Sequence, residues 1–363
     1  MAINDRDGRE LIAQVRSPFA AKLIGAMPEP ALLVDSEVRA LVANAPARGL
    51  LPGLRLGEPL VLSLRSPDVI DAIRRVAASG EAETAHWSER VPIERLFEVS
   101  VAPLATDSGQ TVATLVTLRD LTESRRVERM RADFIANASH ELRTPLASLL
   151  GFVETLQGSA QSDARAREKF LRIMREQGRR MARLIDDLLS LSRIEQKQHL
   201  KPDAAVDLGQ AARHVVDTLA PLAKEMGVEI LLNAEDSVIV TGDRDELVRV
   251  AENLIENAIK YGGRGDGRSG ERVEVSIGQN AKDGFLSVKD FGRGIAPEHL
   301  PRLTERFYRI DPGQSRAKNG TGLGLALVKH ILARHRGRLA ITSRLDQGST
   351  FTAYAPLRGP KPK

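Results

Sequence analysis

The sequence predicts a multidomain α+β chain, and three changes of pattern along its 363 residues lead to that prediction. Residues 17–120 mix short apolar runs and period-two alternation with one helical stretch. Residues 121–197 space their apolar side chains by three and four, as long helices do. Residues 205–358 alternate helical and strand patterns, the signature of an α/β sandwich with a mixed sheet. The length also favours two or three units over one.

In the first segment, ALLVD and TVATLVTLRD read as strands, and the alternation in RLFEVSVAPL suits half-buried antiparallel pairing. DVIDAIRRVAAS reads as a helix. The expectation is a small α+β domain over 17–120.

In the second, apolar residues fall at Val127, Met130, Phe134, Ala138, Leu142, Leu146, Leu149, Val153 and Leu156. After the polar break GSAQSDA the pattern resumes at Phe170, Ile173, Met181, Leu184, Leu188 and Leu191. Two amphipathic helices with a short connection make a helical hairpin over 121–197. A lone hairpin buries little, so its natural completion is a homodimer forming an antiparallel four-helix bundle.

KPDAAVD reads as a linker into the third segment, 205–358. There DLGQAARHVVDTLAPLAKEMG, DELVRVAENLIENAIKYG and GLGLALVKHILARHRG read as helices. VEILLNA, RVEVSIGQ, FLSVKDFG, GRLAITSR and GSTFTAYAPL read as strands.

Composition narrows the chemistry. The chain has no cysteine, which excludes disulfides, thiolate metal sites and cysteine nucleophiles and fits a cytoplasmic protein. No window of about 18 apolar residues is present, so no membrane span is expected, and MAINDRDGRE lacks the apolar core of a signal peptide. A membrane-anchored parent, of which this is the cytosolic part, stays compatible with the sequence. The net charge of +5 raises nucleic acid as a partner. The excess basic residues are interleaved with acids, as in RAREKFLRIMREQGRR, which reads as a solvated helix face with no direct nucleic-acid role.

Three motifs in the third segment carry chemistry. In ENLIENAIKYG, Asn253 and Asn257 share one helix face, with Lys260 and Tyr261 a turn further on. Amide oxygens suit Mg²⁺, and Lys260 supplies positive charge for phosphates; two asparagines on one face are also compatible with a plain surface. In VKDFGRGIA, Asp290 ends a strand before Gly292 and Gly294. A carboxylate there can accept from an exocyclic amine such as adenine's, although D-x-G-x-G also marks tight turns. In NGTGLGLALVKH, Gly320, Gly322 and Gly324 precede a helix whose exposed N–H groups form an anion site. The P-loop pattern is absent.

The order of these motifs, with ERFYRID between the last two, resembles the GHKL (Bergerat) ATP-binding superfamily and, within it, the sensor histidine kinases of two-component systems. The resemblance covers the second and third segments. It implies ATP and Mg²⁺ as cofactors, Asn257 as the metal ligand supported by Asn253, and Lys260 and Tyr261 lining the nucleotide pocket. Asp290 would hold the adenine amine, with Gly292 and Gly294 shaping the pocket, and Gly320, Thr321, Gly322, Leu323 and Gly324 would lie at the triphosphate. Phe307 and Arg309 match the family's phenylalanine box, Arg309 being the residue for stabilising the transferred γ-phosphoryl. Residues 312–319 would form a mobile lid. Hydrolytic members of the superfamily carry glutamate, as base for water, where this chain has Asn253. Glu252 and Glu256 are expected on other helix faces, so transfer to an acceptor is favoured over hydrolysis.

SHELRTPL resembles the family's phosphoacceptor box, which makes His140 the acceptor. A neutral imidazole is a competent nucleophile near pH 7, and Glu141 can orient the ring or take its proton. Pro145 leaves the carbonyl of Glu141 without its helical donor, so a bend is expected there. Thr144 completes the E-x-x-T pattern that in this family accompanies dephosphorylation of the partner, implying a bifunctional kinase and phosphatase; a tolerated surface threonine is the other reading. The implied partner is a response-regulator receiver domain.

Residues 17–120 resemble a PAS domain, through PALLVDSE at the entry and VTLRDLTE at the exit. His86, beside a tryptophan, is read as packing rather than as a haem ligand, and the domain as a dimerisation and relay unit. The whole arrangement is similar to phosphate-regulon sensor kinases. Two other readings stay in play: a non-catalytic ATP-binding relay, and a hydrolytic ATPase coupled to nucleic acid.

Overall fold

In the computed structural model the described residues are 17–89, 95–105, 111–158, 163–197, 199–234, 237–262, 271–311 and 320–359. They fall into two units that divide between Asp133 and Phe134.

The first unit holds a five-stranded antiparallel sheet. Its strands are β1 (Ala31–Val34), β2 (Ala40–Ala43), β3 (Glu83–Glu89), β4 (Arg95–Ala105) and β5 (Thr111–Asp120), in the order β2-β1-β5-β4-β3. Helices α1 (Pro18–Gly25), α2 (Ala45–Leu50) and α3 (Pro67–Ser79) accompany it. One apolar face of α3, including Val69, Ile73 and Val76, is fully buried with Leu32, Val99, Val101 and Val116 of the sheet. Trp87 stacks on Phe97 across the β3–β4 pair, ring centroids 4.8 Å apart. The same alternation points Ala85 and Trp87 inward and leaves His86 exposed, so the packing role expected for His86 is corrected: it lies on the outer face of β3, opposite Glu98 of β4.

The second unit begins within α4 (Thr122–Gln157), which runs without interruption through the buried Pro145. It continues with α5 (Ala164–Gln196), started by the Asp163 carboxylate, which accepts from the N–H groups of Arg165 and Ala166.

Beyond the hairpin lies a sandwich of one mixed five-stranded sheet and three helices. The sheet orders as β11-β12-β10-β9-β7, from β7 (Val228–Ala234), β9 (Glu271–Gln279), β10 (Asp283–Asp290), β11 (Arg338–Arg344) and β12 (Gly348–Pro356). Only the β7–β9 pair is parallel. Helices α6 (Leu208–Glu225), α7 (Arg244–Tyr261) and α8 (Gly324–Arg334) bury apolar stripes such as Leu247, Leu254, Ile255 and Ile259 of α7 against it.

One expectation needs correction. The linker read into KPDAAVD is half strand, because Ala204–Asp207 forms β6 and pairs antiparallel with β8 (Ile239–Gly242). Val206 is buried there, and Asp207 caps α6 by accepting from the N–H groups of Gly209 and Gln210.

The hairpin and the sandwich share one apolar core. Leu184, Leu191 and Ile194 of α5 are buried within the sandwich's own cluster, and Phe134, Leu142 and Leu188 pack against it.

Candidate functional site

A cavity of ≈ 920 Å³ opens between α7, the end of β10, the turn before α8 and one face of α5. It gathers Asn253, Asn257, Lys260, Tyr261, Asp290, Gly294, Arg309, Gly320, Thr321, Gly322 and Gly324 in its wall. Most of the residues singled out from sequence thus converge, although they run from Asn253 to Gly324 along the chain.

Helix geometry explains the α7 contribution. Asn253, Asn257 and Lys260 lie on neighbouring turns of one face, while the opposite stripe is buried in the core. The Asn253 amide donates from Nδ2 to the carbonyl of Arg249 at 2.7 Å, which turns Oδ1 toward the glycine turn. Gly324 is required there: a β-carbon at that position would overlap Asn253 Oδ1. Lys260 Nζ pairs with Glu256 Oε1 at 2.6 Å. Glu252 and Glu256 both line the cavity, which corrects the expectation that they point elsewhere. The cavity embraces a wider arc of α7 than the asparagine face alone.

Asp290 is the last residue of β10 and only 7% exposed. Burial pushes its carboxyl above the usual range, opposed by two backbone donors, Gly292 N–H at 3.0 Å and Ser349 N–H at 3.1 Å, both ending on Oδ1. Oδ2 keeps acceptor capacity at the cavity. Gly294 turns the chain away at φ +68°, with its α-carbon so close to the carbonyl of Arg344 that no side chain fits.

Leu323, fully buried, flanks α8, and its N–H donates to Thr321 Oγ1 at 3.3 Å. Phe307 holds φ +63° and donates its N–H to the carbonyl of Gly322 at 2.8 Å. An aromatic residue at positive φ stores strain that the surroundings must hold. Here the Phe134 ring of α4 lies 5.9 Å away, and Arg306 stacks over that ring.

The hairpin closes the remaining wall with Arg183, Asp186 and Asp187 of α5. Sequence reasoning missed its bonds to the sandwich. Asp187 accepts from Arg249 Nη2 and from Thr321 Oγ1, each at 2.8 Å. Glu141 accepts from Arg180 Nη2 at 3.0 Å and Arg309 Nη2 at 3.2 Å, and Arg309 also donates to the carbonyl of Gly320 at 2.5 Å. Glu195 pairs with Arg306. The seven-residue steps from Phe134 to Glu141 and from Arg180 to Asp187 mark the two helix faces involved, and that spacing was the available signal.

His140 is exposed on α4 and does not line the cavity. Thr144 Oγ1 donates to the His140 carbonyl at 3.2 Å. The expected lid, 312–319, lies outside the described residues, as does part of the hairpin loop.

No cluster of three or more histidine, aspartate or glutamate side chains suited to a metal ion occurs among the described residues. The oxygen donors at the cavity, the Asn257 amide with Glu252 and Glu256 beside it, suit Mg²⁺ that keeps waters and phosphate oxygens as its other ligands. No helix among the described residues is long and apolar enough to cross a membrane.

Three family models match in chain order. Residues 25–126 match "PAS fold", 130–197 match "His Kinase A (phospho-acceptor) domain", and 242–359 match "Histidine kinase-, DNA gyrase B-, and HSP90-like ATPase". The phosphate regulon sensor protein PhoR of Pseudomonas aeruginosa is 39% identical over 67% of this chain and 54% of its own length. The sensor protein SrrB of Staphylococcus aureus is 28% identical over 90% of this chain and 57% of its own. The chain therefore spans a little over half the length of these curated relatives. Among solved structures, the Acinetobacter baumannii histidine kinase AdeS is similar over 61% of this chain and 98% of its own, at 25% identity and a TM-score of 0.48. With these three domains in this order, the chain belongs to the PAS-containing sensor histidine kinases of two-component systems, in the GHKL superfamily.

Proposed function

We propose that this chain is an ATP-dependent protein-histidine kinase that phosphorylates His140 and passes the phosphoryl group to an aspartate of a response-regulator receiver domain. The observation that carries the reading is the single cavity holding Asn253, Asn257, Lys260, Asp290 and the 320–324 turn, with the helix bearing His140 bonded to its rim through Glu141 and Arg309.

In this reading Asp290 Oδ2 accepts from the adenine amine, and the 320–324 backbone with Lys260 cradles the triphosphate. Asn257, supported by Asn253, would hold Mg²⁺, which supplies charge neutralisation on the phosphates. An imidazole nitrogen of His140 attacks the γ-phosphorus: an N–P bond forms, the bond to the β–γ bridging oxygen breaks, and the ring loses its proton, for which Glu141 is the adjacent base. In the second step the receiver carboxylate takes the phosphoryl group from nitrogen to oxygen. Arg309 steadies the charge in transfer once Glu141 releases it. Thr144, one turn from His140, is assigned to positioning water for removal of the phosphoryl group from the regulator.

The active unit is a homodimer. Ile135, Leu146 and Leu150 share one face of α4, and Leu171, Ile185 and Leu189 one face of α5; all six are 42–57% exposed, which supports a second hairpin covering them. The division into 17–120, 121–197 and 205–358, as relay, phosphotransfer and ATP-binding parts, belongs to the same proposal, as does a cytoplasmic site of action.

The test is incubation with γ-labelled ATP and Mg²⁺, beside His140→Ala. Acid-labile, alkali-stable label lost in the variant is the expected result. Phosphate release without protein label would replace transfer by hydrolysis, which the glutamates in the cavity make worth measuring. Nucleotide binding with neither label nor release would leave a non-catalytic relay.

A further inference from the structure

We infer that Arg183, on the second hairpin helix, is a phosphate-binding residue of the nucleotide cavity, so that the hairpin supplies part of the ligand site. The inference rests on the reading of the cavity as an ATP site and adds a contact that lies outside the sandwich.

The charge inventory of the cavity points to it. Lys260 is paired with Glu256 at 2.6 Å, Arg249 with Asp187 at 2.8 Å, and Arg309 with Glu141 at 3.2 Å. Arg293 is also engaged. Among the described residues, no hydrogen bond or ion pair engages the exposed guanidinium of Arg183, although it lines the same cavity. The wall also carries the carboxylates of Asp186, Asp187, Glu252 and Glu256. A polyanion entering there meets Lys260, Arg249 and Arg309 already paired with carboxylates, whereas Arg183 is not.

Position favours the same assignment. Leu184, the next residue, is 3% exposed in the shared core, and Asp187, one turn later, is bonded to both Arg249 and Thr321. The backbone under Arg183 is therefore fixed at the cavity rim, while its long side chain stays free to turn inward. A guanidinium presents a planar fork of donors that matches two phosphate oxygens at once. No equivalent fork is unpaired elsewhere in the wall among the described residues.

The experiment is calorimetric titration of the full chain with a non-hydrolysable ATP analogue and Mg²⁺, for the unaltered protein, Arg183→Gln and Arg183→Lys. The expected result is an affinity about tenfold weaker for Arg183→Gln, partly restored by lysine, with the ligand-free unfolding midpoint unchanged. Unaltered affinity in Arg183→Gln overturns the inference, and so does a loss accompanied by a lowered unfolding midpoint, which would make the arginine structural. If the unaltered protein itself binds no analogue, the ATP-site reading falls and this inference with it.

Discussion

Glu141, the residue after His140, holds Arg309 of the sandwich at 3.2 Å, and Arg309 is 7% exposed at its side chain. One carboxylate thereby ties the phosphoacceptor helix to the residue assigned to steady the phosphoryl group. Removing Glu141 strands the buried guanidinium of Arg309, whereas removing Arg309 leaves Glu141 with Arg180 at 3.0 Å, so the two losses should be unequal and should not add. A double-mutant cycle of Glu141→Gln and Arg309→Gln, read from denaturant midpoints, is expected to show about 0.5–3 kcal/mol of coupling. Strict additivity would mean the pair is not formed in solution.

Asp187 bonds Arg249 of α7 and Thr321 of the glycine turn together. Asp187→Asn keeps the shape and removes the charge that holds both. Amide exchange at 320–324 is expected to quicken several-fold in the variant, measured by mass spectrometry, with exchange in β9 and β10 unchanged.

Asp290 illustrates a site residue that works against stability. Its folded-state pKa is raised by burial, so above the ordinary aspartate range its charge costs stability, and that cost is relieved as pH falls through the folded pKa. Asp290→Asn keeps an acceptor for Gly292 and Ser349. At pH 7 the ligand-free variant should melt at or above the parent temperature, while ATP-analogue affinity falls at least about tenfold.

His335 provides a pH test with the opposite sign. Its ring is buried; Nδ1 lies 2.8 Å from the carbonyl of Ile331, and Nε2 accepts the N–H of Asp243 at 2.9 Å. Burial holds its pKa below the ordinary histidine value, and protonation would set Nε2 donor against donor. Glu246 at 3.7 Å favours the charged form, and the neighbouring Arg334 disfavours it. The unfolded chain takes up the proton first, so stability is full above the unfolded pKa and declines as pH falls below it. Denaturation between pH 7.5 and 5.5 should show this decline, shallower in His335→Gln; His330, also depressed by burial, leaves a residual slope.

The readings from sequence that matched the geometry were those fixed by local backbone demands. Asn253 and Asn257 share a face because helices repeat every 3.6 residues, and Gly294 and Gly324 mark places where no β-carbon fits. What stayed hidden was pairing between distant segments. The spacing of Phe134 and Glu141 and of Arg180 and Asp187 marks the helix faces but not Arg249, Thr321 or Arg309 as their partners, because such bonds depend on where the sandwich seats on the hairpin. Glu252 was misjudged for a related reason: a helical wheel gives direction but not the width of the cavity it faces. Strands β6 and β8, four residues each, are too short to declare a period.

Arg334 carries one last consequence. Its Nε donates to the carbonyls of Lys197 at 3.2 Å and Leu200 at 2.9 Å, where the chain leaves α5, and Nη1 pairs with Glu246 at 2.5 Å. The crossing from hairpin to sandwich is thus pinned to α8 rather than slack. A shift of the sandwich on the hairpin would therefore have to pivot at these bonds or break them, as a door turns on its post or comes off it.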